Sequence, residues 1–250
     1  ELDSWFLDFK PIKLTDIRNN YSMKPFIHFL LVLLCLCPFV QAQDKNAQDK
    51  AVVFSDLSFA VGSVSSSAVS VYRLHSFFFH KPLKVGYGIR LSGLFGNDIE
   101  YTSAPTRLAK DSNLLDTLNI ESAQTLGLNA ALYIEYELTN ALSAGINIDV
   151  LGLGFGSKAK GRFISSNRGS LEESQQGNPT GINVLLVDTR DIGQLKSEFY
   201  VAYNFKSNWR LRAGFDMTFS EYTSDRELTE QNDRFRHIAK MGFISFSYAL

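Results

Sequence analysis

Ten charged side chains stand at alternate positions in segments whose other positions are apolar: Lys84, Arg90, Glu135, Glu137, Asp149, Lys196, Glu198, Arg210, Arg212 and Asp216. Both signs are represented, so facing a common interior they can pair and satisfy one another rather than bind a ligand of one sign. A second set, Asp188, Arg190, Asp191, Arg226, Asp233 and Arg236, falls in the connecting segments or, for Arg236, at the start of the last strand. It offers a binding rim, and solvated or mutually paired loop charges are its plainer reading. Hydrolytic chemistry needs a nucleophilic serine with a histidine base, and the available pairs are His75 with Ser76 and His237 with Ser245. No nucleophile elbow surrounds either, so the expectation is no catalytic residue, with the histidines making hydrogen bonds at a lumen or rim. No His pair has metal-ligand spacing, and Asp188, Asp191 and Asp233 read as solvated charges, so no metal is expected. The run Gly152-Leu153-Gly154-Phe155-Gly156 lacks the helix start and Lys-Ser/Thr of a phosphate cradle and reads as a closely packed strand end. No cofactor is expected.

The elements that position these charges are strands. In residues 125–138, Leu126, Leu128, Leu132, Ile134, Tyr136 and Leu138 share one face, with Glu135 and Glu137 on the other. The two-residue period is that of a β-strand, and its length suits a membrane crossing. The same period recurs near 56–64, 69–79, 83–95, 142–150, 195–205, 209–219 and 235–250, which predicts about eight antiparallel strands in an up-and-down barrel. Connections at His80-Lys81-Pro82, Thr139-Asn140 and Lys206-Ser207-Asn208 are tight, Thr139-Asn140 reading as a two-residue hairpin. Those at 96–122, 156–193 and 223–234 are long, and 65–68 is the one short connection on that side. Short turns at one end and long loops at the other are the topology of outer-membrane barrels. Aromatics gather where two interfaces would lie: Phe77 to Phe79, Tyr136, Phe205, Trp209 and Tyr248 at one level, Phe95, Phe155, Phe219 and Tyr222 at the other. A soluble barrel of the lipocalin kind shares the alternation. The charges of both signs on the polar faces favour lipid outside.

Ahead of the strands, Met23-Lys24 opens a basic region, 26–39 is an apolar stretch of about 14 residues, and Val40-Gln41-Ala42 ends in a small residue. This predicts a signal peptide over 23–42 cleaved after Ala42, a polar lead-in over 43–50 and a barrel over 51–250. Residues 1–22 read as an upstream extension rather than a domain. Cys35 and Cys37 leave with the signal, so the mature chain carries no thiol chemistry. Lys and Arg number 25 against 26 Asp and Glu, a balance that excludes an electrostatic case for nucleic-acid binding. Within the long 156–193 connection, the run Ile182-Asn183-Val184-Leu185-Leu186-Val187 is too apolar for a free loop. It predicts either a ribbon extending the barrel above the membrane or a plug folded against its mouth.

The stretches Gly86-Tyr87-Gly88-Ile89-Arg90-Leu91, 179–186, Asp191-Ile192-Gly193 with Ser197-Glu198-Phe199-Tyr200, and Asp233-Arg234-Phe235-Arg236 resemble small outer-membrane β-barrel proteins of the Bacteroidota type. The resemblance implies a monomeric barrel in the outer membrane of a Gram-negative bacterium, surrounded by membrane lipid and lipopolysaccharide. It also implies a last strand read by the barrel-assembly machinery, here ending in Leu250 where Phe is usual. It implies no reaction. The expected role is structural or surface-binding around a charge-filled lumen; a narrow solute or ion channel is the alternative, and a lipid-modifying enzyme the third.

Overall fold

A computed structural model describes residues 51–77, 80–109, 111, 114–165, 172–186, 191–205, 208–228 and 231–250. The expected upstream extension, signal peptide and lead-in lie outside the described residues, as do Phe78, Phe79, Asp188, Arg190, Lys206 and Ser207. Eleven strands form one antiparallel sheet: β1 Val52–Gly62, β2 Ser65–Phe77, β3 His80–Ser103, β4 Thr117–Glu137, β5 Leu142–Phe155, β6 Ala159–Ile164, β7 Glu172–Pro179, β8 Ile182–Val184, β9 Leu195–Asn204, β10 Trp209–Ser224 and β11 Arg234–Ala249. A one-turn helix, α1 at Thr106–Ala109, lies between β3 and β4. The sequence suggested about eight strands. The additional β6, β7 and β8 all come from the 156–193 connection.

The pairings close twice. Near the tight turns, β1, β2, β3, β4, β5, β9, β10 and β11 pair in order, and β11 returns to β1. Nearer the long connections, β3 pairs β4, β4 pairs β6, β6 pairs β7, β7 pairs β10, β10 pairs β11, and β11 pairs β3 through Phe235 with Ser103 and Arg236 with Thr102. The β1/β2 and β5/β9 pairs stop at the boundary, while the β6/β7 hairpin takes a place in the second ring. Closure leaves both rings without a long unpaired edge.

Polarity inverts between the rings. Around the eight-strand ring the outward positions are apolar, with Ile134 52% and Phe215 65% exposed, and Asp56, Arg90, Asn129, Glu135, Asp149 and Arg212 are buried inside. Inside the six-strand ring Ile99, Tyr101, Leu118, Ile120, Phe163, Tyr222 and Phe235 form an apolar core. Its outer wall carries exposed Glu100, Glu121, Lys160, Arg162 and Ser174. The switch is built into β3 and β4. Inward residues run Arg90, Ser92, Leu94 and then Ile99, Tyr101 on β3, and Leu118, Ile120 and then Ala123, Thr125 on β4. The exposed pairs Asn97-Asp98 and Glu121-Ser122 absorb the change of side. Asp98 does so with φ of 51°, a left-handed conformation that Asp tolerates better than most residues.

Several sequence expectations are corrected by this arrangement. Much of the 96–122 connection is strand, because β3 and β4 continue past the parity switch where simple alternation breaks. The 139–140 turn spans 138–141, with Leu138 N and Thr139 N both donating to Leu142 O at 2.9 Å. Ser65 to Ser67 and His80 to Pro82 belong to strands rather than turns. Tyr222, assigned to an aromatic girdle, is buried in the apolar core. The described part of the apolar run, 182–186, is neither ribbon nor plug, Val187 lying outside the described residues: β8 pairs Leu151–Leu153 of β5, beyond the stretch of β5 covered by β9. Ile182 faces outward and Asn183 is buried inside, so the run patches the wall. The ribbon that does extend the barrel is the polar β6/β7 hairpin. Gly152 lies in β5 so close to Leu128 O and Asn129 of β4 that a Cβ would collide, which accounts for the glycine-rich strand end.

Candidate functional site

The centre of the eight-strand ring is a continuous set of ion pairs. Arg90 on β3 donates from Nη1 to Asp149 Oδ1 at 3.0 Å and from Nη2 to Asn147 Oδ1 at 2.5 Å and Glu198 Oε2 at 3.4 Å. Arg212 on β10 donates from Nη1 to the same Glu198 Oε2 at 3.2 Å and from Nη2 to Asp56 Oδ2 at 2.7 Å. Asn147 Nδ2 donates to Glu198 at 2.7 Å, Asn129 Nδ2 to Asp149 at 2.9 Å, and Ser247 Oγ to Asp56 at 2.5 Å. The side chains of the five paired groups Arg90, Arg212, Glu198, Asp56 and Asp149 are at most 1% exposed. Strand alternation aims all five inward, and register brings β1, β3, β5, β9 and β10 to one level.

Further layers lie on either side. Toward the six-strand ring, Lys196 pairs with Asp216, and its Nζ donates to Ser66 Oγ at 3.1 Å. Toward the tight turns, Phe54, Tyr72 and Tyr133 stack, with ring centroids 5.2 and 4.4 Å apart. Arg212 lies 4.7 Å from the Tyr200 ring and Arg210 lies 5.2 Å from the Phe54 ring. Arg210 pairs with Glu135, which also accepts from Tyr200 OH at 3.1 Å. Lys84 and Glu137 form a partly exposed pair at 2.5 Å. Taking charges out of water is costly unless each is paired, and here each buried charge has an opposite partner, with Glu198 Oε1, Arg210 Nε and Asp216 Oδ2 left without a hydrogen bond.

A separate cluster lies on the outward side of the wall at the boundary between rings. Glu221 is fully buried and receives Arg234 Nη2 at 2.8 Å, Arg236 Nη2 at 2.7 Å and the Gly193 amide at 3.0 Å. Gly193, at φ 84°, permits the turn that presents this amide. Both arginines also donate to Asp191 O, Arg234 at 3.2 Å. The cluster thereby straps the 191–193 segment to β10 and β11. Among the other rim residues, Asp191 Oδ1 accepts from Leu186 N at 2.7 Å, Asp233 O accepts from Ser224 N at 2.8 Å, and Arg226 O accepts from Ser224 Oγ at 2.8 Å. Beyond β10, Lys158 Nζ and Asn178 Nδ2 each donate to Asp225 Oδ1 at 2.9 Å. The Lys158 hydrogen bond holds the Asp225 carboxyl below the usual carboxylate range.

No serine and histidine meet as a hydrolytic pair at the positions singled out. His75 stacks on Tyr87 at 6.0 Å. His237 Nδ1 lies 3.0 Å from Glu100 O, whereas Ser245, eight strand positions away or roughly 26 Å, donates to Asp56. Among the described residues, no group of three His, Cys, Asp or Glu side chains could hold a metal ion. Asp56, Glu221 and Arg234 were not singled out from the sequence. Asp56 had a signal, since it alternates against Leu57 and Phe59; the other two depend on long-range register.

Fold and site together define an antiparallel β-barrel whose interior is filled by paired charges in one section and apolar side chains in the next. No protein-family model and no curated protein matches the chain. Among solved structures it is similar to neisserial surface protein A (NspA), at 9% identity over 80% of this chain and 96% of that one, with a TM-score of 0.33. It is also similar to the CymD monoaromatic hydrocarbon channel, at 12% identity over 82% and 89% with a TM-score of 0.20. The Ralstonia pickettii toluene transporter TbuX stands at 8% identity over 80% and 88%, with a TM-score of 0.21. These likenesses are distant in shape as well as in sequence.

Proposed function

We propose that the chain is a monomeric barrel of the bacterial outer membrane whose eight-strand ring crosses the bilayer, surrounded by lipid and lipopolysaccharide, and whose six-strand ring stands outside it. Its role is non-enzymatic and non-conducting: a closed support that presents a surface. The carrying observation is the buried layer of Arg90, Arg212, Glu198, Asp149 and Asp56, whose side chains occupy the centre of the ring. The apolar core above it, around Leu118, Ile120 and Phe163, supports the same reading. The outward belt of Ile134, Phe199, Phe215 and Phe246 matches lipid, and Trp209 against Tyr248 at 5.1 Å matches an interfacial girdle. The presented surface includes a groove of about 440 Å³ on the six-strand wall, lined by Asn119, Glu121, Gly161, Arg162 and Ser174. β11, ending near Leu250, is the segment the assembly machinery would read.

Purified protein in planar bilayers tests this reading. Near silence is expected. A steady, ion-selective conductance would make the barrel a narrow channel, with the same interior charges as its selectivity lining.

A further inference from the structure

We infer that His237 is a proton-operated latch on the seam between β3 and β11, holding the six-strand ring closed while its imidazole is neutral and releasing the seam when it is protonated. The seam lies in the six-strand section, outside the membrane on the reading above. It is the shortest junction described in that ring: two residue pairs, Phe235 with Ser103 and Arg236 with Thr102, against three between β7 and β10 and four between β4 and β6. The Ala104 amide adds a hydrogen bond to Arg234 O at 2.9 Å. Below the seam the two strands part around the tip of the β1/β2 hairpin. β11 next finds a partner where Met241 meets Gly62, and β3 where Phe95 meets Ser65. His237 is the first residue of β11 on the parted side, and its contact with Glu100 O at 3.0 Å carries the seam one step further.

The contact fixes the tautomer. A carbonyl oxygen only accepts, so Nδ1 carries the proton and Nε2 is bare. Nε2 is buried and has no hydrogen-bond partner. His237 shares the inward side of β11 with Phe235 and Ala239 and lies 5.6 Å from the Tyr101 ring. β4 and the β1/β2 tip bring only Leu118, Ile120 and Val64 to the same core. Tyr101 OH is paired with Ser220 Oγ at 3.0 Å and Tyr222 OH donates to Gln124 O at 3.3 Å; burial pushes both phenols up, so neither titrates in acid. Glu221, Arg236 and Lys240 stand on the outward side of β10 and β11. Glu100 favours a charged ring, but burial outweighs it and holds His237 below the ordinary histidine value. Protonation would put a charged N–H at Nε2 with nothing to accept it, a cost the open seam escapes by admitting water. As pH falls through the ordinary histidine value, the open form therefore takes up a proton that the closed form refuses, and the seam loses stability down to the lowered value. Release exposes the apolar core at Tyr101 and Phe235.

The test follows amide protection, the ratio of intrinsic to observed exchange rate, in the full-length protein in lipid nanodiscs from about pH 7.5 to about pH 5. Protection of the Ala104 amide is expected to fall about threefold or more, while the β6/β7 hairpin, which contains no histidine, changes by less than about twofold. The midpoint of the fall should track the titration of the His237 ring itself, read by its 15N chemical shifts. His237→Gln, whose side-chain amide can donate to Glu100 O but takes up no proton, should hold Ala104 protection flat. Unchanged protection in the unmodified protein, or a fall that persists in His237→Gln, would overturn the latch. An equal fall in the β6/β7 hairpin would overturn it too, since the whole section would then be opening in acid. Comparison of the two midpoints uses the unmodified chain alone, and a ring that titrates at or above the ordinary histidine value would sink the latch even if the variant failed to assemble.

Discussion

Arg90 and Arg212 reach a single oxygen, Glu198 Oε2, at 3.4 and 3.2 Å from β3 and β10, strands far apart in sequence. Each arginine also holds a carboxylate of its own, Arg90 with Asp149 and Arg212 with Asp56, so Glu198 is the one acid the two buried cations share. Glu198→Ala removes that shared carboxylate and leaves each guanidinium short of one buried partner. The expected loss is about 3 to 5 kcal/mol of stability, the range for breaking one partner of a buried pair. Urea unfolding in lipid vesicles measures it; a loss below about 1 kcal/mol would mean the interior is wet.

Outward positions should discriminate by section. Ile134→Arg puts a charge on the apolar belt and should cost about 2 to 4 kcal/mol if that site lies near the midplane of the bilayer. Glu121→Arg, exposed on the six-strand section, should change stability by no more than about 0.5 kcal/mol. Parallel unfolding of the two variants in one lipid checks both, and equal costs would erase the boundary between sections.

At Asp98 the backbone, rather than the side chain, carries the switch of face. Asp98→Gly should be neutral or slightly stabilising, whereas Asp98→Val, a β-branched residue at φ 51°, should cost about 1 to 2 kcal/mol. The expected readout is a lower urea midpoint in the valine variant with an unchanged denaturant slope.

The Asp225 carboxyl, lowered by its hydrogen bond from Lys158, ties the start of β6 to the end of β10. Because the folded-state value lies below the unfolded one, the clamp contributes fully above the ordinary carboxylate range and is lost as pH falls through the lowered value. Protection of the Lys158 and Asn178 amides, the ratio of intrinsic to observed exchange rate, should be flat at neutral pH and fall only in acid. Asp225→Asn should remove that acid dependence; an unchanged profile would assign it to another group.

Much of the wall was legible in local pattern. The alternation of Ile134 with Glu135 and of Phe215 with Asp216 states which side faces in, since strand side chains alternate without exception as long as the backbone stays extended. Where it does not stay extended, pattern fails: Asn97-Asp98 and Glu121-Ser122 look like strand ends, although both strands continue on the other parity. Tyr222 shows the reverse error, an aromatic assigned by its type although its position continues the inward series Thr218 and Ser220. The Glu221 cluster was out of reach for a different reason. Its partners come from β11 and from 191–193, and only the β10/β11 register, pairing Glu221 with Arg236, brings them together.

The four strands β3, β4, β10 and β11 pass from one ring into the other without a break. A loop that rises from a membrane can swivel, so whatever it holds samples many heights and angles. Here the rise is made by continuous hydrogen-bonded sheet, and β3 alone carries eight residues, 96–103, roughly 25 Å of strand contour, beyond the section with the charged interior. On the membrane reading proposed above, the tip around α1 and the groove beside Arg162 would be displayed at a set orientation to the bilayer plane. Recognition by anything with its own fixed geometry, such as a neighbouring cell surface, would begin with the entropy of alignment already removed.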